Sequence, residues 1–209
     1  MAADAIVHVI DDDEAVRQSL AFMLRTCGVT AKTYDSASAF LDALPATDTG
    51  CIITDVRMPG MSGIELLKRL GQLQINMPVI VITGHGDVPL AVEAMKNGAV
   101  DFLEKPYEDE LLLGSVRSAL DRSQQTAARD AKRAEVEARL ATLTHREREV
   151  LEGLIAGKPN KIIAFDLSIS PRTVEIYRAN VMTKMGATSL SELVRMALVS
   201  GALTRAAGG

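Results

Sequence analysis

The run Cys51-Ile52-Ile53-Thr54-Asp55, continued by Val56-Arg57-Met58-Pro59-Gly60-Met61-Ser62-Gly63, decides how this chain is read: a strand-length apolar segment stops at a carboxylate and a turn follows. Two other segments have the same form. Ile6 to Ile10 runs into Asp11-Asp12-Asp13, and Ala99 to Leu103 precedes Lys105-Pro106. In a parallel sheet neighbouring strands end at one edge, where ligands bind in open α/β folds, so these charges are expected to converge into one pocket.

Working outward, strand-like runs at Val7 to Ile10, Cys51 to Thr54, Val79 to Thr83 and Val100 to Leu103 alternate with helical patterns near 13–19, 63–72, 88–97 and 108–121. A weaker strand is expected at Thr30 to Tyr34. Strict alternation predicts an α/β unit, a doubly wound parallel sheet of five strands with helices on both faces. Ser62 with Glu65 forms a capping box that opens the helix near Gly63, and Gly98 stands where the following crossover helix stops.

From Ser123 to Thr142 the sheet pattern disappears, leaving Ala, Arg, Gln, Asp and Glu with no Gly or Pro. These are helix formers, so residues 123–137 are expected to be a semi-rigid helical linker, ahead of a short coiled coil that would need heptads the segment lacks. Beyond it four short helices are predicted over residues 138–203. Thr144 and Glu147 cap the first, Gly157-Lys158-Pro159 breaks it, Ser170-Pro171 opens the third, and Ser189 with Glu192 opens a fourth that stops at Gly201.

With 209 residues, two modest domains are expected, 4–122 and 138–203. The net charge of −4 conceals an asymmetry: residues 1–122 carry 10 Lys+Arg against 18 Asp+Glu, and residues 142–209 carry 9 against 6. A basic unit behind an acidic one is compatible with nucleic-acid binding at the carboxyl-terminal end. Cys27 and Cys51 provide neither metal spacing nor a disulfide framework and read as small buried hydrophobes. No signal-peptide pattern opens the chain and no apolar run reaches the ~20 residues that span a bilayer, so a cytoplasmic protein without a membrane partner is expected.

Clustered carboxylates persist only beside positive charge, and hard oxygen ligands suit Mg²⁺ (or Mn²⁺), which makes Asp11, Asp12 and Asp55 a candidate metal site. Asp55 is then placed to attack phosphorus, with Lys105 and Thr83 supplying a cation and a hydroxyl to the phosphoryl oxygens. Asp13 and Glu14 are assigned instead to the first turn of a helix, where acidic residues are common. In the last unit, the segment about 160–185 reads as a helix-turn-helix. Val174, Tyr177, Val181 and Met185 share an inward face, and Arg172, Glu175, Ile176, Ala179 and Thr183, flanked by Thr173 and Asn180, share the outward one. Those residues are candidates for base edges, and Lys158, Lys161, Arg178 and Lys184 for phosphates.

The motifs Ile10-Asp11-Asp12, Thr54 to Gly63, Val81-Ile82-Thr83-Gly84 and Lys105-Pro106-Tyr107 resemble the receiver domains of two-component response regulators. The resemblance implies that Asp55 is phosphorylated by a histidine kinase, that Asp11, Asp12, Asp55 and the Arg57 carbonyl hold Mg²⁺, and that Lys105 ties to the phosphoryl group. It further implies a switch pair at Thr83 and Phe102, a cis bond before Pro106, and dimerisation through Met95, Lys96 and Val100. Leu143-Thr144 to Leu151, Gly157 to Ala164 and Ser170 to Val174 resemble the LuxR-type DNA-binding domain, whose third helix enters the major groove and whose fourth helps pair two copies. Glu175 and Ala179 depart from that pattern, standing where many relatives carry cations.

The two resemblances together define the NarL/FixJ class of response regulators. Within it, Val81 to Pro89, Asn160-Lys161 and Arg172 to Glu175 look most like the regulators that switch on nitrogen-fixation genes in root-nodule bacteria. That likeness implies a haem-based oxygen-sensing kinase as partner, promoter DNA and RNA polymerase as targets, and homodimers on phosphorylation. A regulator of another regulon, such as nodulation genes, is the first alternative. A Mg²⁺-dependent phosphatase is disfavoured because Arg57 stands where the general acid Asp would be, and a protein-binding adaptor would leave the carboxyl-terminal motif without a role. Arg57 and His85 are expected at most to tune slow loss of the phosphoryl group, His85 being read chiefly as a loop residue.

Overall fold

The computed structural model describes residues 5–44, 50–84 and 88–199. His85, Gly201 and the outermost expected domain limits fall outside these residues. Among the described residues no helix is long and apolar enough to cross a membrane. The chain divides into two compact units, 1–127 and 128–209.

Five parallel strands form the centre of the first unit: β1 (Ile6–Ile10), β2 (Thr30–Tyr34), β3 (Gly50–Asp55), β4 (Val79–Thr83) and β5 (Asp101–Glu104), in the order β2-β1-β3-β4-β5. The helices are α1 (Glu14–Thr26), α2 (Ala37–Asp42), α3 (Gly63–Gln72), α4 (Val88–Lys96) and α5 (Asp109–Ala141). Successive strand residues point to opposite faces, and the apolar runs therefore feed two cores. Val7, Val9, Cys51, Ile53, Ile80 and Ile82 pack with Leu20 and Leu24 of α1 and Leu112 and Val116 of α5. Ile10, Ile52, Val79 and Val81 pack with Phe40, Leu66, Leu70 and Ala94 of α2, α3 and α4. The expected doubly wound sheet is present.

Local chemistry sets the helix starts. Asp13 is the N-cap of α1, its Oδ1 accepting from the Ala15 N–H at 2.8 Å, and Glu14 begins the first turn, as its sequence context predicts. The Ser62–Glu65 capping box opens α3. Two helices differ from expectation. α1 continues to Thr26, because Leu20, Ala21 and Leu24 bury its second half. α2 is absent from the sequence reading: six residues show too little periodicity, and a Ser36 cap with Ala37 and Phe40 buried against the sheet sustains it. Residues 123–137 continue α5 without interruption, as expected of an Ala-, Arg- and Glu-rich segment without Gly or Pro.

The second unit contains α6 (His145–Ile155), α7 (Asn160–Asp166), α8 (Pro171–Met185) and α9 (Leu190–Val199) around Val150, Leu154, Ile163, Val174, Val181 and Met185. Thr144 and Glu147 form the expected capping box of α6. Ser170 caps α8, Pro171 begins it, and Gly186, at φ 65°, ends it in the left-handed conformation. At α9 the expected reciprocal box is altered: Ser189 Oγ accepts from the Glu192 N–H, but the Glu192 carboxylate accepts from the Thr188 N–H and hydroxyl.

Candidate functional site

Strand register brings the charged residues together. Ile10 aligns with Thr54, so Asp11 and Asp55 leave neighbouring strands side by side, and Thr83 aligns with Glu104, one residue before Lys105. The Lys105 N–H donates to the Thr83 carbonyl at 2.7 Å, which ties the ends of β4 and β5, and the Lys105–Pro106 peptide is cis, as the receiver resemblance implies. Lys105 Nζ lies 2.8 Å from Asp55 Oδ1 and 3.0 Å from Asp11 Oδ2, bridging the two carboxylates. Asp55 Oδ2 accepts from the Arg57 N–H at 2.6 Å, and Asp11 Oδ1 from the Asp13 N–H at 2.9 Å. Thr83 is buried at the same edge.

The two carboxylates are 4% and 8% exposed, so their charge is stabilised by Lys105 and the backbone donors rather than by bulk water. Burial pushes the Lys105 amine down, but its hydrogen bonds to Asp55 and Asp11, with their negative charges, outweigh burial and hold it above its ordinary value. Lys105 therefore remains a cation at neutral pH. Cys51, on the same strand as Asp55, is pushed up to about 12 by burial and stays a thiol.

Among the described residues no group of three or more carboxylate, imidazole or thiol side chains gathers as a metal cluster. Asp12 is exposed, and Lys105 bridges Asp11 and Asp55. The physical reason is charge balance, since two buried carboxylates in contact need a cation and the lysine is within reach. The donor set still suits Mg²⁺, which is commonly held by one or two carboxylates and completes its shell with water and phosphate oxygens. Asp12 and Arg57 line an open cleft of about 790 Å³ beside this pair, with Met58, Leu90 and Glu93 on its other walls.

Two positions escaped the sequence reading. Arg17 Nη1 donates to the Asp11 carbonyl at 2.7 Å and anchors the β1–α1 turn. Gly63 is the first residue of α3, and a Cβ there would lie 2.2 Å from the Asp55 carbonyl oxygen. Only glycine allows α3 to begin so close to the end of β3. Its signal in the sequence is a glycine immediately after a helix cap, where no turn requires one.

Phe102 is half-buried, packed against the core beneath α4. On α4, Val88, Val92 and Met95 are 77%, 44% and 51% exposed, spaced as one helix face. Lys96 is exposed, and Val100 is half-buried, packed against the α1–α5 core.

In the second unit, α8 shows the predicted division. Val174, Val181 and Met185 are buried and Tyr177 is half-buried; Arg172, Glu175, Ile176, Ala179, Asn180 and Thr183 are exposed and Thr173 half-exposed. Lys161 is exposed, Arg178 is half-exposed, and Lys158 pairs with Asp166 at 2.7 Å. Lys184, expected at a phosphate, is engaged elsewhere: its Nζ lies 2.7 Å from Glu147 Oε2 and also donates to the Thr142 carbonyl. Glu147 is 3% exposed, and Lys184 with the Thr144 N–H holds its carboxyl down at about 2. The pair fastens the end of α8 to the start of α6.

The response regulator receiver domain family matches residues 7–117, and the luxR family of bacterial regulatory proteins matches residues 141–197. The transcriptional regulatory protein FixJ of Azorhizobium caulinodans is 62% identical over 93% of this chain and 92% of its own, and FixJ of Bradyrhizobium diazoefficiens 56% identical over 97% and 99%. The solved structure of the response regulator StyR matches 92% of this chain and 98% of its own at 40% identity, with a TM-score of 0.84. A parallel sheet with paired aspartates at its carboxyl edge, a capped helix-turn-helix unit and this identity over nearly the whole length lead to one assignment: the chain belongs to the FixJ-type two-component response regulators, phosphorylation-dependent transcription regulators that join a receiver domain to a LuxR-type DNA-binding domain.

Proposed function

We propose that Asp55 receives a phosphoryl group from the phosphohistidine of a sensor kinase and thereby converts the chain into a dimeric promoter-binding activator. The bridge from Lys105 to Asp55 and Asp11 carries this reading. A carboxylate oxygen of Asp55 attacks phosphorus, the bond to the kinase imidazole breaks, and Lys105 and the Thr83 hydroxyl are positioned to donate to the phosphoryl oxygens. Asp11, Asp12, Asp55 and the Arg57 carbonyl would hold Mg²⁺ (or Mn²⁺). When bound, that ion neutralises charge shared by the carboxylates and the incoming phosphoryl group.

Phosphorylation adds charge that draws Thr83 and Lys105 towards Asp55, and Phe102, beside Val81 in the register, reports the movement to α4 and β5. The exposed Val88, Val92 and Met95 stripe, with Lys96 and Val100, is the dimer face. Pairing two modest DNA-binding units raises avidity without any new base contact. Arg172, Thr173, Glu175, Ile176, Ala179, Asn180 and Thr183 face the major groove, while Lys158, Lys161 and Arg178 meet phosphates. Lys184, the remaining candidate for a phosphate, also pairs with Glu147, as Lys158 pairs with Asp166. The chain is a stoichiometric phosphoryl acceptor, since Arg57 stands where a turnover enzyme needs its acid. The shared FixJ name of the relatives supports a nitrogen-fixation regulon; a haem-based oxygen-sensing kinase and RNA polymerase complete the proposal as its partners.

The test is binding to promoter DNA fragments with and without acetyl phosphate and Mg²⁺, for wild type and Asp55→Asn. A gain in sequence-specific binding that Asp55→Asn abolishes is expected. A gain that survives the substitution removes Asp55 from its role, and absence of binding throughout removes the DNA output.

A further inference from the structure

We propose that Glu175 is a specificity-determining residue of α8 that selects cytosine at one position of each half-site, a proposal that rests on the reading of α8 as the DNA-facing helix. Glu175 lies on the exposed face of α8 between Arg172 and Ala179, opposite the buried Val174, Val181 and Met185. Arg172 and Arg178 lie three residues before and after it, a spacing that allows ion pairs. Among the described residues, none of the three is tied to a neighbour by an ion pair or a side-chain hydrogen bond. The Glu175 carboxylate therefore reaches DNA with its acceptor capacity intact, and the two arginines offset its repulsion from the phosphates.

A carboxylate can only accept, and this restricts what it can read. In the major groove guanine presents N7 and O6 acceptors, thymine an O4 acceptor with a methyl group, and adenine an N7 acceptor beside its N6 donor. Each of these places an acceptor against the carboxylate. Cytosine presents its N4 amino group as donor with no acceptor beside it, so Glu175 Oε accepts one N4–H bond there. Rejection of the other three bases contributes as much as the bond itself, because guanine and thymine leave a desolvated carboxylate without a donor and adenine sets its N7 acceptor beside the N6 donor. The amide of Gln has the opposite preference, pairing with adenine through N6 and N7. Glu175→Gln should therefore move the base choice at one position and nowhere else.

The experiment selects binding sites from a randomised duplex pool with the full chain, treated with acetyl phosphate and Mg²⁺, as wild type, Glu175→Gln and Glu175→Ala. Glu175 is exposed, so none of the changes disturbs the core. Wild-type sites should carry cytosine at one half-site position, at which thymine weakens binding on the order of tenfold. Glu175→Gln should prefer adenine there and Glu175→Ala should show no preference, with every other position unchanged. Identical selected sites for wild type and Glu175→Gln, or retained cytosine in Glu175→Ala, would overturn the assignment while leaving DNA recognition intact. No enrichment by any of the three proteins would overturn the DNA-output reading, and this inference with it.

Discussion

Replacing Lys105 by Met keeps the length of the side chain and removes the cation between Asp11 and Asp55. The ammonium is 2.8 and 3.0 Å from the carboxylates, whose side chains are 10% and 5% exposed. Removing one partner of a buried pair costs about 3–5 kcal/mol because an uncompensated charge stays behind. Lys105 is itself 26% exposed, so solvent screens part of the attraction and the lower end, about 3 kcal/mol, is the appropriate figure. Urea melts followed by far-ultraviolet circular dichroism, without divalent ions, would read it as a lowered midpoint at unchanged slope. Asp55→Asn in the Lys105→Met background should restore part of the loss, with a coupling of about 2 kcal/mol. The sign with pH is also set. The folded value of Lys105 is raised, so its contribution is complete below the unfolded value near ~10.4 and is lost as pH rises through the folded one. Lys105→Met within about 0.5 kcal/mol of wild type, or additivity in the cycle, would refute the buried bridge.

Gly63→Ala should lower both stability and the phosphorylation rate of Asp55, read by calorimetry and by acetyl phosphate labelling, because its Cβ would meet the Asp55 carbonyl oxygen at 2.2 Å and force α3 away from the site. Glu147→Gln should flatten the acid side of the stability profile of the second unit. The lowered carboxyl stabilises above its unfolded value near ~4.3, and that contribution is lost as pH falls through about 2, so acid melts of wild type and variant should converge at the bottom of this window. Phe40→Ala removes a fully buried ring that packs edge-on to His8 and Tyr34 and should cost about 3–5 kcal/mol by thermal or urea melting, with little effect on phosphorylation of the remaining folded protein.

Periodicity is local, and what depends on it was legible early. The apolar runs at Ile6–Ile10, Gly50–Asp55 and Val79–Thr83, and the caps Ser62, Thr144 and Ser170, are encoded within a few residues of where they act. α2 was not, because its stability derives from Phe40 entering a core built by distant strands. The full length of α1 was hidden for the same reason. For Lys184, its neighbours along the chain give no sign of the buried glutamate of α6 that the fold places beside it.

Sequence alone determined the alternation of strands and helices, the division into an acidic and a basic unit, and the inward and outward faces of α8, since each follows from residue type at a fixed spacing along the chain. Tertiary structure decided which charges meet. Asp11 and Lys105 are 94 residues apart, and only the order β2-β1-β3-β4-β5 and its register bring them into contact. It also set Lys105 between Asp11 and Asp55, because the balance of buried charge depends on which group is near enough to supply the opposite sign, and distance is a property of the fold.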